Sequence, residues 1–232
     1  MRFSNLQSDI LRFIIENGYK PGDKLPTLQA ISKTMGISIA KMREELEIAR
    51  ALGIVEVKPG RGTRVLEYRF TPLVTLSALY AIGQDPIHFE HLRQLRNAVE
   101  TGFWEEAVHL LGPADIAVLH GLITSAQRRL AGQSIQVPAS EHRAFHLTLF
   151  SRLANPFVIG IIEAYWEAYE AFGLNLYFEL DYHRKVWDYH ERIVNAIEAG
   201  DVETSRRLLI EHMNLLGRRS ENVASESQIR FE

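Results

Sequence analysis

The 232-residue chain contains no cysteine, which excludes disulfides and thiolate metal sites and fits a reducing compartment. It also lacks any apolar run approaching the ~20 residues that a membrane-spanning helix needs, and no signal peptide opens it. The reading is therefore a cytoplasmic protein with no membrane partner. An excess of positive charge is missing too: the net charge is −3, which on its face argues against a nucleic-acid partner. Split along the chain, the balance changes. Residues 1–66 hold 11 Lys plus Arg against 7 Asp plus Glu, or +4, whereas the remainder holds 15 against 22, or −7. A basic head on an acidic body matches a phosphate-reading part joined to a part with another task. At 46 % hydrophobic residues, the chain has material for roughly two globular cores, at ~100–200 residues per domain.

What is present begins with residues 28–65, where the periodicity changes twice. Leu28, Ile31 and Met35 fall on one helix face, Gly36 suits a left-handed turn, and Ser38 suits the cap of a second helix with Met42, Leu46 and Ala49 as its apolar stripe. Ile54–Lys58 then alternates as a short strand, Pro59-Gly60-Arg61-Gly62 makes a tight basic turn, and Thr63–Leu66 returns. Helix, turn, helix and hairpin in that order form a winged helix-turn-helix, whose second helix enters the major groove of double-stranded DNA.

These residues resemble the DNA-binding domain of the GntR superfamily of bacterial regulators. Asn17-Gly18-Tyr19-Lys20-Pro21-Gly22-Asp23-Lys24-Leu25-Pro26-Thr27 is similar to the family's opening loop, and Ile37-Ser38-Ile39-Ala40-Lys41-Met42-Arg43-Glu44-Glu45-Leu46 to its recognition helix "V-S-R-x-x-V-R-E-A-L". The resemblance implies DNA contacts from Gln29, Ser38, Ile39, Ala40, Lys41 and Arg43, and from Gly60, Arg61 and Gly62 at the wing tip. Ile39 departs from the pattern. It stands where a basic residue is usual, and it offers a thymine methyl an apolar contact in place of a charged donor.

From Thr71 onward the pattern is helical, with no convincing strand alternation and no internal repeat. Proline, glycine and capping signals divide it into a short helix around Val74–Ile82, a long one from Pro86 through Ala107, then Ile116–Leu130, Glu141–Leu153 capped by Ser140, Pro156–Ala171, Asp181–Ala199 and Val202–Arg218. The fold class expected is mainly α: an N-terminal winged helix-turn-helix over 1–66, a linker at 67–72, an all-α bundle of six or seven helices over 73–220, and a flexible polar tail at 221–232. Tyr165, Trp166, Tyr169, Tyr177, Tyr182, Trp187 and Tyr189 read as helix-packing residues.

The bundle resembles the FCD domain, the effector-binding half of FadR-subfamily members of the same superfamily. Leu95-Arg96-Asn97-Ala98-Val99-Glu100 is similar to an "R-x-x-x-E" helix, His142-Arg143-Ala144-Phe145-His146 to "D-x-x-F-H", His190 through Asp201 to "H-x-x-I-x-x-A-I-x-x-G-D", and Glu211-His212-Met213 to the closing histidine. The helix near Val74–Ile82 favours the longer FadR type over the shorter VanR type.

His142 and His146, four apart, project from one helix face, a spacing that lets two imidazoles share one ion. The resemblance brings His190 and His212 to them as third and fourth ligands of a divalent metal. It also marks a departure, because position 142 is usually a carboxylate. Glu141 is adjacent but turned ~100° around the helix. Four neutral imidazoles suit a divalent transition metal, zinc or nickel foremost, and the uncompensated charge favours a small anionic effector such as a carboxylic acid. The resemblance places Arg96 toward that effector, a salt bridge to Glu100 being the other reading of the same residue. His88, His91, His109, His120 and His183 read as structural.

The functional expectation is no enzyme. It is a ligand-responsive transcriptional regulator, a homodimer on a two-fold operator, repressing a metabolic operon in response to an organic acid. Two alternatives stand beside it. One is a metal-free pocket of the acyl-CoA kind. The other is a metalloenzyme fused to a DNA-binding head, for which no general base beside the metal announces itself.

Overall fold

A computed structural model describes residues 6–132, 135–173 and 179–229, which fall into two compact units, Met1–Leu73 and Val74–Glu232. The first unit holds helices α1 (Asp9–Glu16), α2 (Leu28–Met35) and α3 (Ile39–Ala51), then strands β1 (Val55–Lys58) and β2 (Gly62–Val65). The two strands pair antiparallel, Val55 opposite Val65 and Lys58 opposite Gly62, so the basic turn sits at the tip. Local chemistry sets each boundary. Thr27 accepts from the Ala30 amide at 3.2 Å and Ser38 from the Lys41 amide at 3.2 Å, while Gly36, at φ 67°, turns the chain between the helices they start. Ile10, Phe13, Ile14, Leu25, Ile31, Met42, Leu46, Ala49, Val55 and Val65 form one buried core, each large side chain contributing about 1.5–3 kcal/mol.

The second unit is all helical, beginning within α4 (Thr71–Gln84), whose residues up to Leu73 belong to the first unit, and continuing with α5 (Ile87–Gly102), α6 (Trp104–His109), α7 (Pro113–Ala131), α8 (Ala139–Phe150), α9 (Pro156–Ala171), α10 (Leu180–Glu198) and α11 (Val202–Ile229). Eight helices stand among the described residues where six or seven were expected, because the long segment starting at Pro86 breaks. Phe103, at φ −101° and ψ 8°, leaves helical geometry and separates α5 from α6 without a proline to announce it. Trp104, the first residue of α6, is buried and its indole N–H donates to Ser205 Oγ at 3.0 Å, tying that short helix to α11.

Other boundaries also move. Helix α4 starts at Thr71 with Pro72 in its first turn, where proline is tolerated, so the expected 67–72 linker narrows to 67–70. Helix α7 starts at Pro113, since the Asp115 carboxylate accepts from the Gly112 amide at 2.9 Å. Ser140 is no cap: α8 already begins at Ala139, and the Ser140 hydroxyl donates to Glu141 at 2.9 Å. Asn155 does cap α9, accepting from the Phe157 and Val158 amides at 3.1 and 3.3 Å. The backbone of α11 runs to Ile229 instead of giving way to a tail from 221; no glycine or proline after Gly217 interrupts it.

The bundle core is built around Phe89, Trp104, Phe145, Phe150, Ile162, Tyr165, Trp166, Val186, Trp187, Ile193 and Leu209. Of the aromatic residues assigned to packing, Tyr165, Trp166, Tyr169 and Trp187 are buried in it and Tyr182 and Tyr189 pack against it, while Tyr177 lies outside the described residues.

Candidate metal centre and DNA-reading surface

Four helices carry the buried polar centre of the bundle. Helix α8 presents His142 and His146 one turn apart, α10 presents His190, α11 presents His212, and α5 presents Arg96 and Glu100 one turn apart. All six are buried, and Arg96, Glu100, His146, His190 and His212 have no solvent exposure. The four imidazoles each offer a nitrogen, and these nitrogens lie within 4.8 Å of one another. His212 Nε2 is 3.2 Å from His146 Nε2 and 3.2 Å from His190 Nε2. A tetrahedral ion at ~2.0–2.1 Å from each nitrogen separates its ligand atoms by roughly this distance. His142 Nε2, His190 Nδ1 and His212 Nδ1 are buried without a hydrogen-bond partner in the protein. The donor set and its spacing therefore fit a transition ion.

Aromatic rings sheathe the cluster. Phe145 stacks on His190 with centroids 4.0 Å apart, Trp166 lies 4.7 Å from His142, and Trp187 lies 4.6 Å from His190. Burial pushes His142, His190 and His212 well below the ordinary imidazole range, and the neighbouring positive groups add to the effect. His146 is lowered by burial and by Arg96, with Glu100 opposing. Burial alone would raise Glu100, but Arg96 and His146 outweigh it and hold its carboxyl below the usual carboxylate range.

Arg96 realises the ion pair that the four-residue spacing allows: its Nε donates to Glu100 Oε1 at 2.5 Å. It also does what spacing does not reveal, placing Nη2 2.7 Å from His146 Nδ1, with its guanidinium over Tyr165 at 4.9 Å and Trp166 at 5.7 Å. Glu100 reaches the same His146 nitrogen at 3.3 Å, a contact 46 residues apart in sequence that no local signal announced. Glu141 turns away from the cluster to Ser125 at 2.9 Å and Arg129 at 2.7 Å. The remaining histidines have other settings: His88 meets the Ala81 carbonyl at 2.9 Å, His109 the Glu105 carbonyl at 2.7 Å, and His120 the Glu198 carboxylate at 2.9 Å. His91 has its ring edge-on to that of His88 at 5.7 Å, and His183 is buried outside the four-nitrogen cluster.

In the first unit Gln29, Ser38, Ala40, Lys41, Arg43, Gly60, Arg61 and Gly62 are exposed and Ile39 is half-buried. Gly60 and Gly62 take φ of 71° and 84°, which lets the wing tip turn within a few residues. Lys41 is not a free cation. Its ammonium is bonded to Asp9 on α1, which raises the lysine and lowers the aspartate. Sequence spacing gave no sign of this contact across 32 residues.

A winged helix-turn-helix beside an all-helical bundle with a buried polar centre defines a two-part regulator, one part for DNA and one for a small molecule. Residues 91–215 match the FCD domain, more than half of the chain, and residues 4–65 match the family described as bacterial regulatory proteins, gntR family. The chain belongs to the GntR family of transcriptional regulators, with an FCD domain of the FadR-like type. It is 27 % identical over 210 residues to the HTH-type transcriptional regulator LutR of Bacillus subtilis, covering 86 % of this chain and 93 % of that one. It is 25 % identical over 224 residues to the Uxu operon transcriptional regulator of Escherichia coli, covering 94 % and 86 %. A solved structure titled Streptococcus agalactiae GntR shares the fold at a TM-score of 0.67 and 17 % identity, covering 92 % of this chain and 98 % of that one. These relatives are regulators and not enzymes, and the two domains imply DNA binding and a small-molecule effector.

Proposed function

We propose that this chain is a homodimeric repressor of a metabolic operon that reads a two-fold operator and senses a small organic acid at His142, His146, His190 and His212. The observation that carries the reading is the convergence of four buried imidazoles from three helices, with nitrogens within 4.8 Å of one another. These residues would hold one divalent transition ion, zinc or nickel, which when bound would supply positive charge, and an anion would join it as a further ligand by expanding the coordination beyond the four imidazoles. With an ion bound, Glu100 would accept the His146 Nδ1 hydrogen and orient the ring from behind, and apolar aromatic rings line the cluster. The cluster carries no carboxylate ligand, so a divalent charge is compensated only when an anion joins it, and Arg96 offers that anion a guanidinium donor. In the head, Gln29, Ser38, Ile39, Ala40, Arg43, Gly60, Arg61 and Gly62 form the DNA-facing set, with Lys41 restrained by Asp9.

The test is elemental analysis and native mass spectrometry of purified protein, followed by melting with a chelator and with added zinc. About one transition ion per chain is expected, with a chelator-induced drop in melting temperature that His146→Ala or His212→Ala abolishes. Protein that carries no metal, and that gives no thermal shift with zinc or nickel, would instead favour a pocket in which the imidazoles bond an organic ligand directly.

A further inference from the structure

His146 Nδ1 has two neighbours whose demands conflict. Arg96 Nη2 lies 2.7 Å away and Glu100 Oε2 lies 3.3 Å away. A guanidinium nitrogen can only donate and a carboxylate oxygen can only accept, so Nδ1 serves Arg96 with a lone pair or Glu100 with an N–H, never both. The closer contact is to Arg96; when Nδ1 accepts from it, the ring hydrogen sits on Nε2, facing His212 Nε2 at 3.2 Å. In that arrangement Nε2 has no lone pair for an ion. An imidazole that ligates through Nε2 carries its hydrogen on Nδ1 and gives it to an oxygen behind the ring, the role open to Glu100.

We propose that Arg96 competes with the metal ion for His146, and that an anionic effector relieves the competition by drawing Nη2 away from Nδ1. This rests on the metal-and-acid reading above. The guanidinium has a pivot for the change. Its Nε stays on Glu100 Oε1 at 2.5 Å and its plane stays against Tyr165 and Trp166, so only the second arm has to be satisfied elsewhere. Arg96, Glu100 and His146 are fully buried, and a carboxylate oxygen is a suitable acceptor for the released arm. Metal and anion then reinforce each other through one hydrogen bond, and the coupling is reciprocal: acid tightens metal by the same factor by which metal tightens acid.

Zinc affinity, measured by competition with a chromophoric chelator, separates the cases. Arg96→Lys keeps the positive charge and a partner for Glu100 but lacks the forked second arm, so it isolates the hydrogen bond from the charge. The variant is expected to bind zinc about tenfold more tightly than the wild type. Acetate, used as the carboxylate probe, is expected to tighten zinc binding in the wild type and to lose most of that effect in Arg96→Lys. Equal or weaker zinc binding by the variant overturns the competition while leaving the metal site standing; zinc binding by neither protein removes the metal reading and this inference together. Should Arg96→Lys fail to fold, imidazole nitrogen spectra of the wild type decide. His146 is expected to carry its hydrogen on Nε2 without metal and on Nδ1 with zinc, and a hydrogen already on Nδ1 in the metal-free protein overturns the proposal.

Discussion

At the scale of single residues, partners found only in three dimensions change what each charge is free to do. Arg43 and Arg61 are exposed on the recognition helix and the wing, whereas Lys41 is tied to Asp9. Alanine at Arg43 and at Arg61 should each lower the slope of log affinity against log salt by about one unit, with similar loss across DNA sequences if they meet phosphates. Lys41→Ala should move that slope less, because its ammonium is already paired with Asp9. Unchanged affinity in the Arg43→Ala, Arg61→Ala double mutant would remove this assignment. Ile39→Arg should raise affinity by adding one cationic contact; a fall on the native operator would mean that the isoleucine itself reads shape or a thymine methyl. The buried imidazoles set a pH dependence. Their folded-state values are depressed, so the unfolded chain binds protons more readily. The stability they contribute is fully present above the ordinary imidazole value near ~6.5 and is lost as pH falls from there toward the depressed values. Melting temperature should therefore decline from neutral pH toward acid, with metal leaving over the same range. His142→Gln should flatten the decline.

At the scale of elements, caps and turns were the most legible features, because they depend on one or two side chains within a few residues. Ser38 before α3 and Asn155 before α9 cap as their positions suggest. Asn155→Ala should destabilise the bundle by about 1 kcal/mol, readable in a denaturation midpoint at constant slope. Gly53 is a harder constraint. It combines φ 67° with a virtual Cβ only 2.8 Å from Pro72 Cγ, so Gly53→Ala should lower stability by more than the ~1 kcal/mol usual for a glycine in that conformation. A neutral outcome would show that Pro72 yields easily. The break at Phe103 has one local signal, Gly102, which the periodicity of the segment overrides in the reading of one long helix. The start of α6 is anchored by the burial of Trp104 and its bond to Ser205, 101 residues away, a partner that periodicity within the segment cannot reveal.

At the scale of the whole molecule, two compact units with separate cores carry opposite charge, and the histidine cluster lies wholly within the second. Calorimetry should resolve two transitions, of which zinc raises only the one belonging to Val74–Glu232. A single transition that moves as a whole would mean that the units unfold together.

The sequence by itself determined the class of fold, the winged head, the helical body and the family, since each of these rests on periodicity, glycine and capping signals, or motif spacing along a continuous stretch. His142 and His146 on one face were equally readable, because a helix of 3.6 residues per turn puts positions four apart side by side. Motif resemblance grouped His190 and His212 with them, and the fold supplies the geometry of that group; tertiary structure alone attached Lys41 to Asp9 and set Arg96 and Glu100 against the same nitrogen of His146. The hydrogen-bond contacts of the bundle join groups that lie 22 to 66 residues apart, and their distances depend on how α5, α8, α10 and α11 pack, while the Lys41–Asp9 contact depends on how α3 packs on α1; neither is encoded by a single segment.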